Sequence, residues 1–367
     1  MKGPPLRWVR AFVVWFMWVE WGGAADPLTR TEIRIPDLPG YRTLKCDFHL
    51  HTVFSDGLVW PTWRVEEAWR DGLDAIALTD HIEYQPWTND IPSNLQRPVE
   101  IAARTARARG IILIRGAEIT QHAVTGHFNA IFLTNIPAVA GSDVLESLHR
   151  ARSQGAFIFW NHPGWNVPTN EPILRPHIRT AMAKGLLDGI ELANDTTVYT
   201  GVWDWVVAEG PRTWLGNSDA HAPVDPPLPH HSKHRTMTLV FAREHSEAGV
   251  REALFAGRTV AWIRNELFGR EEWLGPLVRA CIVQHPVHQN DSRNVQFHME
   301  NVSDIPWTLR RIDGPGPAEI FIPAGQTVSV RAPVAAGQSA CLVYEVRNAW
   351  VGPGKFVRIE WMISNTR

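Results

Sequence analysis

The chain has 367 residues, of which 44% are hydrophobic and 20% are charged, and its formal net charge is −2. This length accommodates two domains with substantial cores. The nearly balanced charge, with only short runs of Lys or Arg, argues against a nucleic-acid partner held through its phosphates.

The first 25 residues have the pattern of a secretory signal peptide. Basic residues precede the apolar run AFVVWFMWV, and small residues at Gly23 and Ala25 suit a cleavage site. Because the run is too short for a stable transmembrane helix, we predict export to the periplasm or the cell exterior, with no stable membrane insertion after cleavage. An uncleaved membrane anchor is the alternative. Residues 26–40 form a predicted linker.

Residues 41–268 alternate between short apolar strands and helical patterns. The predicted strands include TLKCDFH, DAIALTDH, IILIRGAE, AFIFWNHP, DGIELAN, RTWLGNSDAH, RTMTLVFA and TVAWIR. Helical patterns such as TWRVEEAWRDGL, TGVWDWVVAEG and SEAGVREALFAG stand between many of them. This alternation, with glycines at the joins, predicts βα units, a parallel sheet and a closed or nearly closed barrel.

The pattern changes from about residue 275. Short alternating segments such as VQFHMEN, TVSVRAPV and ACLVYEVRN are separated by Asn, Asp, Gly and Pro, without helical periodicity. This pattern predicts a small, sandwich-like all-β domain over residues 275–367.

Side chains that can bind cations stand at the carboxyl ends of the predicted barrel strands. They are His49, His51, Asp80, His81, Glu118, His162, Asp219 and His221. In a βα barrel these ends converge on one face. Imidazole and carboxylate ligands suit Zn, Mn or Fe, and a carboxylate can bridge two cations. Burying so many ionisable groups without cations is unfavourable, so the set predicts a metal centre rather than ordinary core histidines.

Five ordered motifs, HLHTVFSDG, TDH, GAE, NHP and SDAH, resemble the signature of the PHP (polymerase and histidinol phosphatase) superfamily. The resemblance implies a metal-dependent phosphoesterase on a distorted (β/α)7 barrel. The longer segments CDFHLHTVFSDGLVWPT, TGHFNAIFL, FWNHPGW and HRTMTLVFA are similar to the two-domain, exported Sb-PDE-type phosphodiesterases. Those proteins also carry a small C-terminal β domain.

The resemblance further implies a centre of two to three divalent cations (Zn, Mn or Fe). The implied ligands are His49, His51, Glu118 and Asp219 for the first cation, Glu118, His127 and His162 for the second, and Asp56, His81 and His221 for the third. Asp56 stands where other family members have His and adds a negative charge. His122 competes with His127, whose GHF context favours it.

The same site implies hydrolysis by a hydroxide that bridges cations and attacks phosphorus in line. Glu118 and Asp219 are then catalytic through the cations they hold. Arg235, in KHRTMT, is a candidate phosphate clamp, because guanidinium matches phosphate bidentately; a surface salt bridge is an equal alternative. Asp80 is expected to orient a ligand.

Three tryptophans follow the metal motifs in predicted loops of the active face, at positions 60, 87 and 165. Apolar walls of this kind could hold an organic ester group. We therefore predict a small-molecule phosphate ester as the partner of the site, most specifically a phosphodiester with small organic groups.

Several other functions are open at this stage. Phosphomonoesterase, exonuclease and carboxylic or carbamic ester hydrolase activities use related metal sites, and the weak basicity of the chain disfavours the exonuclease. A binding protein without catalysis is disfavoured by the intact ligand set. Assembly into a homo-oligomer is left open.

Overall fold

The computed structural model describes residues 29–121, 126–165, 167, 169, 171–203, 213–224 and 234–366. The predicted signal peptide, His122 and most of the helix predicted from TGVWDWVVAEG lie outside these ranges. No helix within the described ranges is long and apolar enough to cross a membrane.

The amino-terminal two thirds of the chain form an α/β barrel. Its strands are β1 (Arg42–Asp47), β2 (Ala75–Leu78), β3 (Ile112–Ile119), β4 (Phe128–Ile131), β5 (Phe157–Trp160), β6 (Gly189–Asn194), β7 (Thr197–Val198), β8 (Thr213–Asn217), β9 (Met237–Ala242), β10 (Thr259–Ile263) and β11 (Glu266–Gly269). The helices are α1 (Pro61–Arg70), α2 (Arg97–Arg109), α3 (Val144–Ser153), α4 (Pro176–Ala183) and α5 (Glu247–Phe255), with short 3₁₀ turns at Pro137–Val139 and Thr200–Val202.

Local sequence explains where these helices begin. Proline occupies the first turn of α1, α2 and α4, where its missing N–H group is not needed. Asp143 and Ser246 instead cap α3 and α5, because their side-chain oxygens accept the N–H groups of Glu146 and Gly249.

The sheet order is β11-β10-β9-β1-β2-β3-β4-β5-β6, with β8 paired to β6. Strands β1, β2 and β3 are parallel, as are β5, β6 and β8. Several pairings depart from the predicted parallel pattern. Strand β4 lies antiparallel between β3 and β5, β9 is antiparallel to β1 and β10, and the β10–β11 and β6–β7 pairs are antiparallel as well. Strand β4 follows β3 after too short a connection for the crossover that parallel pairing requires.

Threonine hydroxyls close the barrel between β8 and the two strands β9 and β10. The Thr238 hydroxyl accepts the Gly216 N–H at 3.0 Å and donates to the Gly216 carbonyl at 2.8 Å. The Thr259 hydroxyl donates to the Trp214 carbonyl at 2.8 Å. The predicted nearly closed barrel is therefore present, with side chains replacing backbone pairing at one seam.

The carboxyl-terminal region begins with a helix that the sequence prediction missed, α6 (Glu271–Cys281). The strands that follow are β12 (Ile282–Gln284), β13 (Gln289–Asn290), β14 (Asn294–Asn301), β15 (Trp307–Asp313), β16 (Glu319–Ile322), β17 (Thr327–Pro333), β18 (Ser339–Gly352) and β19 (Lys355–Ser364). Strands β12, β13 and β17 flank β14, whose side chains alternate between buried and less buried positions. Strands β15, β16, β18 and β19 form the other layer, so the predicted all-β region is present.

Strand β11 joins the barrel to the carboxyl-terminal β region. It pairs with β10 on one side and runs parallel to β18 on the other, with Leu267 opposite Ala349 and Phe268 opposite Trp350. Barrel residues such as Leu78 share one hydrophobic cluster with residues of the β region. The two parts therefore pack as one body, while the predicted domain limits themselves stay a prediction.

Candidate metal centre

The predicted ligands converge at the carboxyl ends of the barrel strands. His49 and His51 directly follow β1, Glu118 lies near the end of β3, and Asp219 follows β8. The side chains of His49, His51 and Glu118 are buried, and that of Asp219 is 16% exposed. Residues far apart in the sequence thus share one polar cluster at the mouth of the barrel.

The innermost group consists of His49, His51, Glu118 and Asp219. The Nε2 atom of His49 lies 2.8 Å from Glu118 Oε2 and 3.1 Å from Asp219 Oδ1. His51 Nε2 lies 3.1 Å from each of the same two oxygens. One donor atom of each residue lies within 4.8 Å of the others, so the four atoms surround a common point where a cation fits.

The second oxygen of Glu118 faces a different pair of imidazoles. Glu118 Oε1 lies 2.7 Å from His127 Nδ1 and 3.6 Å from His162 Nε2. Asp219 Oδ2 lies 3.8 Å from His162 Nε2. One donor atom each of His81, Glu118 and His127 lies within 4.8 Å of the others, and His162 is not a member of this close group. Glu118 therefore has the position of a carboxylate that bridges two cations.

An outer group consists of His51, Asp56, His81 and His221. Asp56 Oδ2 lies 3.3 Å from His221 Nε2 and 3.5 Å from His81 Nε2, while Asp56 Oδ1 lies 3.6 Å from His51 Nδ1. The rings of His51 and His221 are stacked, with centroids 4.2 Å apart. The His221 side chain is 39% exposed, so this group is the nearest to solvent.

Several buried donor atoms of the cluster lack a well-formed hydrogen bond within the described residues. They are His51 Nε2, Glu118 Oε1, both ring nitrogens of His127, and Asp219 Oδ1. Some lie close together, as His127 Nδ1 and Glu118 Oε1 do at 2.7 Å, but without hydrogen-bond geometry. Unsatisfied buried polar atoms are unfavourable and rare. Cations bound between these atoms would satisfy them together, so the donor set fits a multinuclear site.

The electrostatics of the cluster favour positive charge at its centre. Burial lowers the pKa of His49, but the carboxylates of Asp219, Glu191 and Glu118 outweigh burial and raise that pKa well above its ordinary value. Burial also lowers the pKa of His51, but Asp219 and Glu118 outweigh burial and raise that pKa to about 9. Because cations need neutral imidazoles, metal binding here would displace protons that the carboxylates otherwise hold on the rings.

Glu191, on β6, is a site residue that the sequence analysis missed. Its Oε1 lies 2.9 Å from His49 Nδ1 and accepts the Asn217 side-chain amide at 2.8 Å. Its Oε2 accepts the Asn194 side-chain amide at 2.9 Å and the His162 backbone N–H at 2.8 Å. A buried carboxylate of this kind orients a ligating imidazole. The available signal was a charged residue inside the apolar strand GIELAN.

Asp80 orders the loop that follows β1 and carries Asp56 of the outer group. Its carboxylate accepts the Thr52 N–H and the Ser55 hydroxyl, each at 2.7 Å, and the Thr52 hydroxyl at 2.8 Å. These contacts order the chain between His51 and Asp56, and the orienting role of Asp80 stays a prediction.

Two of the predicted ligands have left-handed backbone conformations. The φ angle is 24° at His162 and 53° at Asp219. This conformation is unfavourable for residues with a side chain, by about 1–3 kcal/mol, and persists where the surroundings enforce it. At both positions it occurs directly after a strand, where the chain turns across the barrel mouth.

Arg235, the candidate phosphate clamp, is held by two carboxylates. Its guanidinium group is buried and donates to Asp71 Oδ2 at 2.6 and 3.1 Å, and to Asp47 Oδ2 at 3.4 Å. Asp47 also accepts the Ser218 hydroxyl at 2.6 Å. The guanidinium is thus in a buried salt bridge rather than the predicted surface one. Arg235 also lines a second cavity of about 420 Å³ together with Asp219 and His221, so the clamp role stays a prediction.

A cavity of about 520 Å³ opens above the cluster. Its floor includes Glu118 and Asp219, and its walls include the aromatic rings of Tyr84 and Trp165. The Trp165 ring centroid lies 4.7 Å from that of His127. Trp165 thus lies beside the cluster as predicted.

The other two predicted wall residues occupy different positions. Trp60 and Trp87 are 49% and 41% exposed, and neither lines this cavity. Tyr84, which the sequence analysis did not single out, takes the place expected for one of them. Its loop follows the TDH motif, so proximity to a metal motif was the available signal.

Fold and site together define an α/β-barrel protein with a cluster of His, Asp and Glu residues at the strand ends that suits divalent cations. The domain model of the PHP family matches residues 47–189. A crystal structure from Bacteroides vulgatus, described as a two-domain protein containing a predicted PHP-like metal-dependent phosphoesterase, is 38% identical with a TM-score of 0.86. The match covers 93% of this chain and 100% of that chain. The chain belongs to the PHP family.

Two further solved structures match over shorter ranges. One, from Bifidobacterium adolescentis and described as a metal-dependent phosphoesterase, is 17% identical, has a TM-score of 0.39, and covers 58% of this chain and 96% of its own. The other, an amidohydrolase from Chromobacterium violaceum with bound sulfate, is 17% identical, has a TM-score of 0.36, and covers 48% and 88%. Their similarity is too low to inform the site. The comparison with curated proteins finds no match.

Proposed function

We propose that the protein is a metal-dependent phosphoesterase that hydrolyses small organic phosphate diesters at a site for three cations. The observation that carries this proposal is the position of Glu118 between two groups of imidazoles on the floor of an open cavity. The family membership and the phosphoesterase description of the Bacteroides vulgatus protein support the reaction class.

Each group of donors would have a distinct role. Cations at these residues would supply a water of lowered pKa and would offset negative charge on the phosphoryl oxygens. Glu118 and Asp219 would hold the inner cations, while Glu191 fixes the orientation of the His49 ring. The inner ligands lie buried on the floor of the cavity, and its open side admits the ester from solvent.

Two features of the cavity favour a diester over a monoester. Asp56 contributes a carboxylate to the outer group and lowers the positive charge available to a dianionic monoester. Tyr84 and Trp165 offer apolar surface for a second organic substituent. The resemblance to Sb-PDE-type phosphodiesterases also favours a diester.

Activity against a matched substrate panel tests this proposal. We expect a higher kcat/KM for an aryl methyl phosphate diester than for the corresponding aryl monoester. Faster turnover of the monoester would make the protein a phosphomonoesterase. Hydrolysis of carbamates with no phosphate ester turned over would overturn the phosphoesterase assignment.

The aromatic wall can be tested with a matched pair of tryptophan variants. Trp165→Ala should raise the KM of an aryl diester several-fold, because the ring borders the cavity. Trp87→Ala removes an equally large and similarly exposed ring that does not line the cavity, and should leave KM unchanged. Equal effects of both changes would contradict the assignment of Trp165.

We also propose that the protein acts in the periplasm or outside the cell. The charged start, short apolar run and small residues of the first 25 positions support removal of a signal peptide. The mature chain should then begin near Asp26, as measured by intact mass. A soluble cytoplasmic protein that retains Met1 would refute this proposal.

A further inference from the structure

Helix α1 carries a buried arginine that is bonded on every side. The Arg64 side chain is fully buried. Its partners are His51 O at 2.8 Å from Nε, Glu67 Oε2 at 2.8 Å and Ala222 O at 2.9 Å from Nη1, and Ala220 O at 2.9 Å and His221 O at 2.7 Å from Nη2. One guanidinium group therefore holds the carbonyls of two chain segments that are far apart in sequence.

Glu67 completes the same contact one helical turn later. Its Oε2 accepts Arg64, and its Oε1 accepts the Val224 N–H at 2.8 Å. A buried guanidinium is strongly unfavourable unless it is paired and its donors are used. Here most of the partners of Arg64 and Glu67 are backbone groups of the segment from Ala220 to Val224. Helix α1 and this segment therefore hold each other in place.

The two segments held by Arg64 both contribute to the outer metal group. His51 and His221 are two of its four residues, and their rings are stacked. The inner group shares His51 with the outer group, but it has further support because Glu191 orients His49 within the barrel. His221 is the most exposed member of the outer group, and its backbone carbonyl is held by Arg64 and by the Leu58 N–H at 2.8 Å.

We propose that Arg64, with Glu67, is a positioning residue for the outer cation of the centre. By fixing the backbone at His51 and His221, it sets the separation of two imidazoles that face Asp56. This inference rests on the proposed three-cation function. Under this proposal, helix α1 controls the occupancy of one of the three cation sites.

The test compares conservative variants of the buried Arg64 pair with one of the partly buried Arg152. Arg64→Lys keeps the charge but cannot reach five acceptors, and Glu67→Gln removes the paired charge. Arg152→Lys is the matched control, because Arg152 also donates to carbonyls (Ala156, Gly185 and Leu186) and to the Asp188 carboxylate, on a helix away from the metal cluster. Metal content is measured by elemental analysis at fixed free metal concentrations, alongside the unfolding temperature of the metal-free protein.

We expect wild type to carry about three equivalents and Arg64→Lys about two, with outer-site affinity reduced by about 10–100-fold, the range seen when residues supporting ligands are removed. Raising the free metal concentration should restore the third equivalent. Arg152→Lys should lower the unfolding temperature of the metal-free protein while keeping three equivalents. If Arg64→Lys fails to fold, Glu67→Gln supplies the same comparison.

The outcomes separate this inference from the proposed function. Three equivalents in wild type and in both variants of the pair would overturn the positioning role and leave the three-cation site standing. An equal loss in Arg152→Lys would also overturn it, because the effect would then follow general destabilisation. Fewer than three equivalents in wild type would overturn the three-cation proposal itself, together with the inference built on it.

Discussion

At the residue scale, the role of Glu191 beside the metal centre is the easiest to test by substitution. Its carboxylate is fully buried and faces His49 Nδ1. In Glu191→Gln the side-chain volume is kept, but one acceptor becomes a donor and the charge is lost. We expect the affinity for the innermost cation to fall by about 10–100-fold, as measured by competition with a chelator.

Asp188→Asn provides a control for that change. Asp188 lies shortly before Glu191 in the chain, but its carboxylate pairs with Arg152 rather than with a predicted ligand. The change should alter stability without altering cation affinity. Unchanged affinity in Glu191→Gln, or an equal loss in Asp188→Asn, would show that Glu191 does not act on His49.

Arg235 leads to a prediction about stability rather than substrate binding. Burial lowers the pKa of Arg235, but Asp71 and Asp47 outweigh burial and raise it, which keeps the guanidinium charged. Arg235→Met would leave Asp47 without its cation and Asp71 with Arg70 alone, and breaking a buried pair in this way typically costs about 3–5 kcal/mol. Urea unfolding should show a loss of this size, with KM for the ester unchanged. A raised KM with unchanged stability would support the phosphate-clamp role.

Individual residues were predictable where their neighbours in the sequence were informative. His49, His51 and Glu118 stand out in the sequence because each is a polar group at the end of an apolar strand. Glu191 and Arg64 carry no such mark, because a single charge in a strand or helix is common. Their roles depend on partners more than 100 positions away, such as His49 for Glu191 and Ala220 for Arg64.

At the scale of elements, the short hairpin of β3 and β4 determines where the second cation would lie. Glu118 is near the end of β3, and His127 immediately precedes β4. Gly126 has a φ angle of 83°, and a Cβ atom there would lie 3.2 Å from Trp160 Nε1. Only glycine adopts this conformation without strain.

Gly126→Ala should therefore disturb His127 more than the fold. We expect a loss of stability of about 1 kcal/mol or more, together with weaker binding of the cation shared by Glu118 and His127. Chelator competition and thermal unfolding measure the two effects. Gly110→Ala is the control, because Gly110 has a φ angle of 68° at the end of α2, away from the cluster. Normal metal content in Gly126→Ala would contradict the prediction.

Helix α6 shows why one element escaped prediction. Its buried residues Leu274, Leu277, Val278 and Cys281 have helical spacing. Gly275 and Pro276 interrupt the segment, and both residues disfavour helix interiors. Packing against the sheet supports the helix despite this local cost, a contribution that local propensity does not contain.

At the scale of the whole molecule, the metal centre should contribute to stability. Its ligands come from β1, β3, β8 and the intervening loops, so the unfolded chain does not offer the same site. At a free metal concentration about 1,000 times Kd, one site stabilises the folded state by about 4 kcal/mol. Treatment with a chelator should lower the unfolding temperature, and added metal should restore it.

A ligand variant supplies the control for that experiment. Glu118→Gln weakens the bridge between two donor groups, so activity should be lost. The unfolding temperature of this variant should respond much less to chelator. Wild-type protein with an unchanged unfolding temperature after complete metal removal would contradict a centre that is coupled to folding.

The predicted linker, residues 26–40, also matters at this scale, because it contacts both the barrel and the carboxyl-terminal β region. Arg30 pairs with Asp74 of the barrel, while Arg34 pairs with Asp304 of the carboxyl-terminal region. The Thr31 N–H donates to the Arg70 carbonyl at 2.8 Å. Residues predicted only as a connection therefore hold the barrel and the β region together.

The barrel, the all-β region that follows it and the set of residues that could bind cations could all be predicted from the amino-acid sequence. These properties follow from local periodicity and from polar groups at strand ends, which neighbouring residues reveal. The antiparallel strands, the engagement of Arg235 by Asp47 and Asp71, and the support of the site by Arg64 and Glu191 emerge in the folded molecule alone. Each of these depends on burial and on hydrogen bonds between distant segments, and such contacts exist only once the chain has folded.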